Sequence, residues 1–250
     1  MNHKEQSDFI YGTRAIIESI ESGKEVDKIL IQKDLRNELI QELQALAKSH
    51  SVPVQKVPVE KLNRVTKKNH QGTIAYMSSV VYASLDNVIS EAYGKGKTPL
   101  IIVLDRITDV RNVGAIARTA ECAGVHAIVV PSRNTAQLGA DAMKTSAGAL
   151  NYIPVCRVEN LKTTLKNIRE NGIQVMACSE KAEESVFETD LTAPLAIIMG
   201  SEENGISPEY LKFTDGHIKL PIVGKIDSLN VSVATGIITY EVIRQRRAQN

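Results

Sequence analysis

Two unbroken apolar runs constrain the fold of this chain more than any other feature. They are Leu100–Leu104 and Leu195–Met199, and neither alternates apolar with polar residues as a strand with one wet face does. A strand of this kind is buried on both faces, as in the centre of a parallel sheet. Each run stops at a polar loop, which begins at Asp105 in the first case and at Gly200 in the second. Open parallel sheets build their sites from such loops, so the sequence places its candidate site there.

Strands and helices alternate throughout the part of the chain that follows Pro99. Apolar residues at helical spacing, with Gly or Asn at the ends, distinguish the helices from the short strands. This alternation predicts an α/β domain with a mostly parallel sheet. The other predicted strands are 126–131, 152–157, 174–178 and 217–220, and the predicted helices are 114–122, 140–149, 161–170 and 231–247, the last with an apolar stripe of Val233, Ile237, Tyr240 and Ile243.

A smaller α/β unit precedes this domain. The segment Gly94–Pro99 is small, charged and closed by proline, which is typical of a domain boundary. We therefore expect a substrate-binding domain at 1–78, a linker with one helix at 79–98, and a second domain at 99–250. The predicted strands of the first domain are 26–32, 52–57 and 73–78, and its helices are 15–20, 35–49 and 58–64.

The first domain carries a local excess of positive charge. The stretch 56–70 contains five lysines and arginines but only one acid, Glu60, and it ends at a histidine. Such a patch is a candidate contact for RNA phosphates, although a solvated helix face has the same composition. The candidate RNA-binding residues are Lys56, Lys61, Arg64, Lys67, Lys68 and His70.

Composition excludes several classes of protein. No apolar run approaches the roughly 20 residues of a membrane span, and the N-terminus lacks the apolar region of a signal peptide, so we expect a cytoplasmic protein. The cysteines Cys122, Cys156 and Cys178 are far apart and have no metal-ligand spacing, and the histidines form no ligand pattern. We therefore expect buried free thiols and no metal site.

The first candidate loop contains Asn112, Gly114 and Arg118. Asn112 is a suitable N-cap for the predicted helix, and Gly114 permits a close approach of the backbone. Arg118 follows six residues later, roughly opposite in azimuth, so the two polar side chains converge only if Asn112 lies outside the helix. With Arg106 and Arg111, Arg118 makes this loop cationic, although a capped helix with surface arginines explains the same residues.

The second and third loops carry acid, amide and hydroxyl groups. The segment Gly200–Gly205 lacks the Lys-Ser/Thr pair of a phosphate-binding loop, and its carboxylates Glu202 and Glu203 repel phosphate. A ligand with a cation or hydroxyls, such as a sulfonium or a ribose, suits it better. Ser228 and Asn230 stand before the last helix, where they either cap the helix or hold a substrate.

Taken together, the three loops closely resemble the three ordered motifs of the SpoU (TrmH) family of RNA ribose 2′-O-methyltransferases. The motifs here are Asn112–Arg118, Gly200–Glu202 and Ser228–Ala234, and the resemblance covers residues 99–250. The preceding unit resembles the RNA-binding domain of some members, and the pair of domains is most similar to bacterial enzymes that methylate a guanosine of 23S ribosomal RNA. The resemblance implies a C-terminal trefoil knot, S-adenosylmethionine as cofactor, and a homodimer with the site near its interface.

The resemblance also implies roles for individual residues. Arg118 corresponds to the catalytic residue of the family; because a guanidinium keeps its proton, we interpret it as a cation that stabilises the developing alkoxide and grips a phosphate. The proton would leave to that phosphate or to water. The other catalytic residues, which would orient Arg118 and the ribose, are Asn112, Glu202, Ser228 and Asn230, and the cofactor-binding positions are Gly200, Leu220, Leu229 and Thr145.

Three alternatives remain open. Glu203 follows where many relatives have Gly, so it competes with Glu202 as the functional acid, although its place in the motif favours Glu202. The substrate is ribosomal RNA by analogy with the N-terminal domain, and transfer RNA or another ribosomal position is the second candidate. A different class of protein, a non-catalytic RNA-binding protein with a degenerate site, would leave the motif residues without a purpose.

Overall fold

The computed structural model describes residues 9–249. Its contacts divide the chain into two compact units. One unit ends at Val81 and also includes Gln137–Ala140, while the other comprises Tyr82–Ala136 and the chain from Asp141 onward.

The first unit is a four-stranded sheet with a helical layer on each face. The strand order is β1-β4-β2-β3; β4 is antiparallel to both of its neighbours, and β2 is parallel to β3. Strand β1 is an addition to the predicted elements. The elements are β1 (Phe9–Tyr11), α1 (Thr13–Glu21), β2 (Val26–Gln32), α2 (Glu38–Ser49), β3 (Val54–Val57), α3 (Val59–Val65) and β4 (Thr73–Met77).

The two faces of this sheet are covered unequally. Helices α1 and α2 bury a large core on one face, in which Ile16, Ile29 and Leu43 are fully enclosed. On the other face the short helix α3 places Leu62 over a smaller cluster. Aromatic side chains at the edge of that cluster are therefore only partly buried.

The second unit is a seven-stranded sheet in which every strand pair is parallel. The order is β7-β6-β5-β10-β8-β11-β9. The predicted α/β fold with a mostly parallel sheet is thus confirmed. The elements are α4 (Leu85–Gly94), β5 (Leu100–Leu104), α5 (Val110–Cys122), β6 (Ala127–Pro131), α6 (Ala140–Thr145), β7 (Val155–Val158), α7 (Leu161–Glu170), β8 (Gln174–Cys178), β9 (Glu184–Ser185), β10 (Leu195–Met199), α8 (Pro208–Leu211), β11 (Gly216–Lys219) and α9 (Val231–Ala248).

Strands β5 and β10 lie side by side at the centre, and every residue of both is buried. On one face, α4, α7 and α8 pack over the core that includes Val103 and Ile198. The other face carries α5 and α9, which pack against each other. Because α5 follows β5 and α8 follows β10 on opposite faces, the loops after these strands flank a topological switch point.

Two helix boundaries lie four residues from their predicted positions, each for a local reason. Helix α6 ends at Thr145, because Ala147 and Gly148 adopt left-handed backbone angles with φ of 50° and 83°. Helix α5 begins at Val110, and its cap is Asp109, whose carboxylate accepts a hydrogen bond from the Arg111 amide at 2.8 Å. The prediction that Asn112 caps this helix is therefore wrong, since Asn112 lies within the first turn.

Within residues 9–249, no helix is both long enough and apolar enough to cross a membrane. The same residues contain no group of three or more His, Cys, Asp and Glu side chains placed to hold a metal ion. The trefoil knot stays a prediction from the resemblance.

Candidate active site

One residue from each of the three predicted motifs meets the others beyond the carboxyl ends of β5 and β10. Asn112 comes from the first turn of α5, Glu202 from the loop after β10, and Asn230 from the residue that caps α9. The Asn230 amide nitrogen donates to Glu202 Oε1 at 2.6 Å and to Asn112 Oδ1 at 3.0 Å. Asn112 Nδ2 also donates to Glu202 Oε1, at 3.3 Å. We call these three side chains the polar triad.

The orientation of Asn230 is fixed from both ends of its amide. Its Oδ1 accepts from the Ser232 and Val233 amides at 3.0 and 3.4 Å, which caps α9, and from the Ser232 hydroxyl at 2.5 Å. An inverted amide would present a donor to these three donors, so the hydrogen-bond network selects the orientation with nitrogen toward Glu202. The helix cap therefore positions the triad.

Glu202 uses only one of its carboxylate oxygens in this network. Oε1 receives the two amide nitrogens and the backbone N–H of Val231 at 3.4 Å. Oε2 accepts no hydrogen bond from the residues that the structure describes, and the side chain is exposed. An ionised carboxylate is an acceptor only, so this free oxygen can accept from a hydroxyl group of a ligand.

The loop that carries Glu202 is closed on itself. The backbone N–H of Ser201 donates to the Gly205 carbonyl at 3.1 Å, and the Gly205 N–H returns to the Ser201 carbonyl at 2.8 Å. A Cβ at Gly200 would lie 2.2 Å from the carbonyl carbon of Gly205, a distance that no side chain tolerates. Glycine at position 200 is thus required by the close approach of its own loop.

Two residues after β5 hold this loop from the neighbouring strand. The buried carboxylate of Asp105 accepts from the Ser207 amide at 2.7 Å, and Arg106 Nη2 donates to the Gly205 carbonyl at 3.1 Å. Arg106 has a left-handed φ of 58°, which is uncommon for a residue with a side chain. The position of Asp105 directly after a buried strand is a signal that the sequence contains. Its bond to Ser207 depends on the pairing of β5 with β10, which the sequence does not show.

Thr145, at the end of α6, packs against Gly114 of the first motif. A Cβ at Gly114 would lie 2.1 Å from Thr145 Oγ1, so glycine lets α6 approach the start of α5. The Thr145 hydroxyl donates to the Asp141 carbonyl at 2.8 Å within its own helix. The structure thus places Thr145 as a packing partner of Gly114.

Arg118 does not join the polar triad within one chain. Because Asn112 lies inside α5, six residues carry Arg118 roughly to the opposite side of the helix, and the geometric condition for their convergence is not met. Arg118 is exposed and has no hydrogen bond or ion pair with any residue from 9 to 249. Ser228 is likewise exposed and unbonded to the described residues.

Every residue of the segment 221–230 between β11 and α9 is exposed, and several of them are apolar. The exposed fraction is 98% for Val223 and 76% for Ile226, and Leu229 at 40% lies one residue before the triad. Leu220, half-buried, directly precedes the segment, and Gly200 is the first residue of the loop after β10. The predicted cofactor-binding positions Gly200, Leu220 and Leu229 thus stand on the two loops that carry Glu202 and Asn230.

The predicted basic patch of the first unit is exposed except at one residue. Lys56 lies on β3, Lys61 and Arg64 on α3, and Lys67 and Lys68 on the following loop, all five at the surface. His70 is 8% exposed, its Nε2 bonds to Asn63 Oδ1 at 2.9 Å, and its Nδ1 accepts from the Gly72 amide at 3.0 Å. We therefore correct the assignment of His70: both ring nitrogens are occupied in holding the turn before β4.

A parallel sheet with a polar cluster at its switch point defines an α/β enzyme domain that binds its ligand beyond the strand ends. Residues 99–240 match the model of the SpoU rRNA Methylase family, and residues 9–83 match the model for RNA 2′-O ribose methyltransferase substrate binding. The chain belongs to the SpoU family of RNA methyltransferases, which confirms the resemblance.

Curated relatives cover nearly the whole chain. YacO of Bacillus subtilis, named "Putative TrmH family tRNA/rRNA methyltransferase", is 37% identical over 242 residues, which are 97% of this chain and 97% of that protein. A relative of the same description from Staphylococcus saprophyticus is 36% identical over 95% of both chains.

Solved structures share the fold. The SpoU methyltransferase AviRb from Streptomyces viridochromogenes superimposes with a TM-score of 0.61 at 22% identity, over 97% of this chain and 90% of that one. A TrmH/SpoU tRNA modifying enzyme of A. aeolicus gives a TM-score of 0.56 at 29% identity, over 65% of this chain and 86% of its own.

Proposed function

We propose that this chain transfers a methyl group from S-adenosylmethionine to a ribose 2′-hydroxyl of RNA, and that the target is a guanosine of 23S ribosomal RNA. The observation that carries the proposal is the polar triad, because it unites one residue from each motif of an RNA methyltransferase family at one edge of the sheet.

The residues around the triad fit S-adenosylmethionine. The triad's single charge is the carboxylate of Glu202, which suits a sulfonium and disfavours a phosphate. Exposed apolar side chains at Val223, Ile226 and Leu229 offer surface to an adenine ring. Gly200, Leu220 and Leu229 would hold the cofactor through the loops after β10 and β11, and the cofactor supplies an electrophilic methyl group when bound. AviRb has also been crystallised in complex with AdoMet, which supports the assignment.

The ribose hydroxyl must lose its proton as it attacks, and this chain offers a cation and a fixed carboxylate for that step. Arg118 would stabilise the developing alkoxide and grip the adjoining phosphate, since a guanidinium stays charged and does not act as a base. The proton leaves to that phosphate or to water. Glu202, held on one oxygen by Asn112 and Asn230, would accept from a ribose hydroxyl through the other, and Ser228 would orient the same ribose.

The separation of Arg118 from the triad supports a homodimer with the site near the interface. Helix α9 buries small and β-branched residues and leaves Val233, Ile237 and Tyr240 exposed by 50, 38 and 51%. These three side chains form an apolar stripe that a second copy of the chain would cover. A partner's α5 at this interface would bring an arginine to each site.

Ribosomal RNA is proposed as the substrate because of the N-terminal domain, and transfer RNA is the second candidate because the relatives are named tRNA/rRNA methyltransferases. Labelled methyl transfer to purified ribosomal and transfer RNA pools, followed by mapping of the modified nucleotide, separates the two. Transfer to neither pool, together with no calorimetric binding of S-adenosylmethionine, would favour the non-catalytic RNA-binding alternative.

Replacing Arg118 tests the proposed mechanism. Arg118→Ala is expected to lower the rate of methyl transfer by about 10²-fold or more, because it removes a charge that acts on the transition state. S-adenosylmethionine affinity, measured by calorimetry, should stay near the wild-type value. Near-normal turnover of the variant would contradict the role of Arg118.

A further inference from the structure

Three side chains form a row across the sheet of the first unit. Phe9 on β1 is the register partner of Tyr76 on β4, and Tyr76 is the partner of Lys28 on β2. Because side chains alternate along a strand, the row shares its face with Leu30 and Ile74, two residues further along β2 and β4. Helix α3 covers those two residues but leaves the row only half-buried. This end of the sheet therefore presents side chains to solvent.

The row widens into a cluster of three aromatic rings. The ring centres of Phe9 and Tyr76 are 6.4 Å apart at 62°, and those of Phe9 and Tyr11 are 6.4 Å apart at 44°. Such tilted contacts fix the ring planes by packing against one another. The tyrosines are thus held as a pre-formed platform, with little side-chain freedom left to lose on binding.

Lysines stand over this platform. Lys28 Nζ lies 5.4 Å from the centre of the Tyr76 ring, and Lys68 Nζ lies 5.9 Å from that of Tyr11. Burial, together with the like charge of Lys61, lowers the pKa of Lys28, and Asp27 opposes the shift. We call the cluster of Phe9, Tyr11, Tyr76, Lys28, Lys61 and Lys68 the aromatic–lysine face.

The acids among the described residues offset only part of this charge. Asp27, next to Lys28 on β2, is 8% exposed, and its carboxylate accepts from the Leu138 amide at 2.7 Å within the same unit. Glu60 is the acid next to Lys61, and it is exposed on α3. Among the described residues, three lysines against the buried Asp27 and the exposed Glu60 leave a net positive charge around the rings.

We propose that the aromatic–lysine face binds an unpaired segment of the substrate RNA, with bases stacked on Tyr76 and Tyr11 and phosphates held by Lys28, Lys61 and Lys68. The inference deepens the proposed function, on which it rests for the identity of the ligand as RNA. Bases in a duplex are stacked on one another and cannot offer their faces to a tyrosine, so a single-stranded loop or bulge fits and a duplex does not.

The energies of the competing contacts agree with this arrangement. A lysine over an exposed aromatic ring contributes less binding free energy than a base stacked on the same ring. A base therefore displaces the ammonium group from the ring face. The displaced lysine remains beside the base, where the phosphate of the same nucleotide lies.

The test measures binding of a fluorescent single-stranded oligoribonucleotide to the full chain, with the matching duplex as competitor. Tyr76→Leu is expected to weaken single-strand binding roughly 5- to 150-fold, because it removes one stacking platform but keeps an apolar side chain. Tyr76→Phe should bind as the wild type does, since it keeps the ring. The control Tyr152→Leu removes a tyrosine that is 78% exposed in the other unit, and it should leave binding unchanged.

The lysines are tested through salt. Each phosphate contact to single-stranded RNA contributes about 0.7 to the magnitude of the slope of log K against log salt. Replacing Lys28 and Lys68 together by Gln should therefore reduce that magnitude by about 1.4. Lys48→Gln is the matched control, because Lys48 is exposed on α2, which covers the opposite face of the sheet. A change in slope of about 0.7 in the control, which is the same change for each lysine removed, would overturn the phosphate assignment.

The two proposals fail separately. If the wild type methylates RNA while Tyr76→Leu binds single strands and turns over normally, the aromatic–lysine face is refuted and the proposed function stands. If Tyr76→Leu loses single-strand binding while the wild type methylates no RNA, the face is supported and the proposed function fails. Duplex binding by the wild type that equals or exceeds its single-strand binding also overturns the inference. Circular dichroism shows whether Tyr76→Leu is folded, so that its loss of binding is not a loss of fold.

Discussion

At the scale of single residues, Asn230 joins helix capping to the geometry of the site. Its Oδ1 satisfies backbone N–H groups at the start of α9, and its Nδ2 holds Glu202 and Asn112. From the sequence, capping of α9 and substrate binding are alternative roles for this residue. The structure shows one side chain that caps the helix and, through the same amide, orients a carboxylate.

Substitutions at Asn230 separate these two contributions. Asn230→Ser keeps a capping oxygen, so its free energy of unfolding should lie within about 0.5 kcal/mol of the wild-type value. Asn230→Ala has no cap, and its free energy of unfolding should be lower by about 1 kcal/mol. Both variants lose the bond to Glu202, and both are expected to lower methyl transfer strongly. Urea unfolding and a transfer assay measure the two effects, and a Ser variant with full activity would show that the triad bond is dispensable.

The cysteines give a prediction with a pH dependence. Burial raises the pKa of the Cys156 and Cys178 thiols to about 12, so both stay protonated and unreactive at pH 8. Cys122 is exposed and Cys178 is half-buried, which corrects the expectation that all three are buried. Labelling with a thiol reagent at pH 8 should modify one cysteine in the native chain and three in denaturant, and Cys122→Ser should abolish the native reaction. Fast native labelling of a second thiol would contradict this.

At the scale of elements, the loop after β10 is held from β5. Asp105 binds the amide of Ser207 and Arg106 binds the carbonyl of Gly205, so the loop is fixed on both sides of Ile206. The left-handed backbone of Arg106 costs about 1–3 kcal/mol, which the surrounding contacts must offset. Such strain beside a site indicates that the position of the loop matters.

Two substitutions at Arg106 distinguish its side chain from its backbone. Arg106→Ala and Arg106→Gly both remove the bond to Gly205 and should weaken S-adenosylmethionine binding by a similar factor. Glycine also relieves the left-handed strain, so Arg106→Gly should be more stable than Arg106→Ala by up to about 1 kcal/mol. Calorimetry and thermal unfolding measure the pair, and unchanged affinity in both would show that the loop keeps its position without this anchor.

At the scale of the whole molecule, α9 has two dissimilar faces. Its inner face carries Thr235 and Thr239, whose hydroxyls donate to their own helix at 2.7 and 2.6 Å and so are buried without loss. Near the C-terminal end of α9, Arg246 donates hydrogen bonds to the carbonyls of Pro99 and Ala193, just before β5 and β10. The outer face leaves Val233, Ile237 and Tyr240 for the proposed partner copy.

Charge on that outer face should dissociate the proposed dimer. Ile237→Glu would bury an unpaired carboxylate in an apolar interface. The desolvation free energy of that carboxylate should exceed the favourable free energy of association, so the dimer should not form. Sedimentation should give a dimer for the wild type and a monomer for the variant. Tyr93→Glu is the control, because Tyr93 is exposed on α4 across the sheet, and it should remain dimeric. A wild-type monomer would contradict the prediction.

Much of the fold was predictable because buried strands have a distinctive composition. Strands β2, β5, β8 and β10 and helix α7 have the predicted limits, since apolar runs bounded by Gly, Asn or Asp determine them locally. Elements β1, β9 and α8 were missed because they are short and owe their conformation to neighbouring strands. The start of α5 was misplaced because Asp109 and Asn112 are both good caps, and only packing selects between them.

The sequence by itself determined the chemistry of the site: an amide, a carboxylate and a second amide on three loops that follow or precede apolar elements. Tertiary structure decided which of these groups meet. Asn112, Glu202 and Asn230 converge because β5 and β10 are neighbours and α9 returns to the same edge, although the first and last of them are 118 positions apart. Arg118 is turned away by the helical repeat of α5. Local sequence fixes which groups a segment carries, whereas long-range strand pairing fixes which of them share a site.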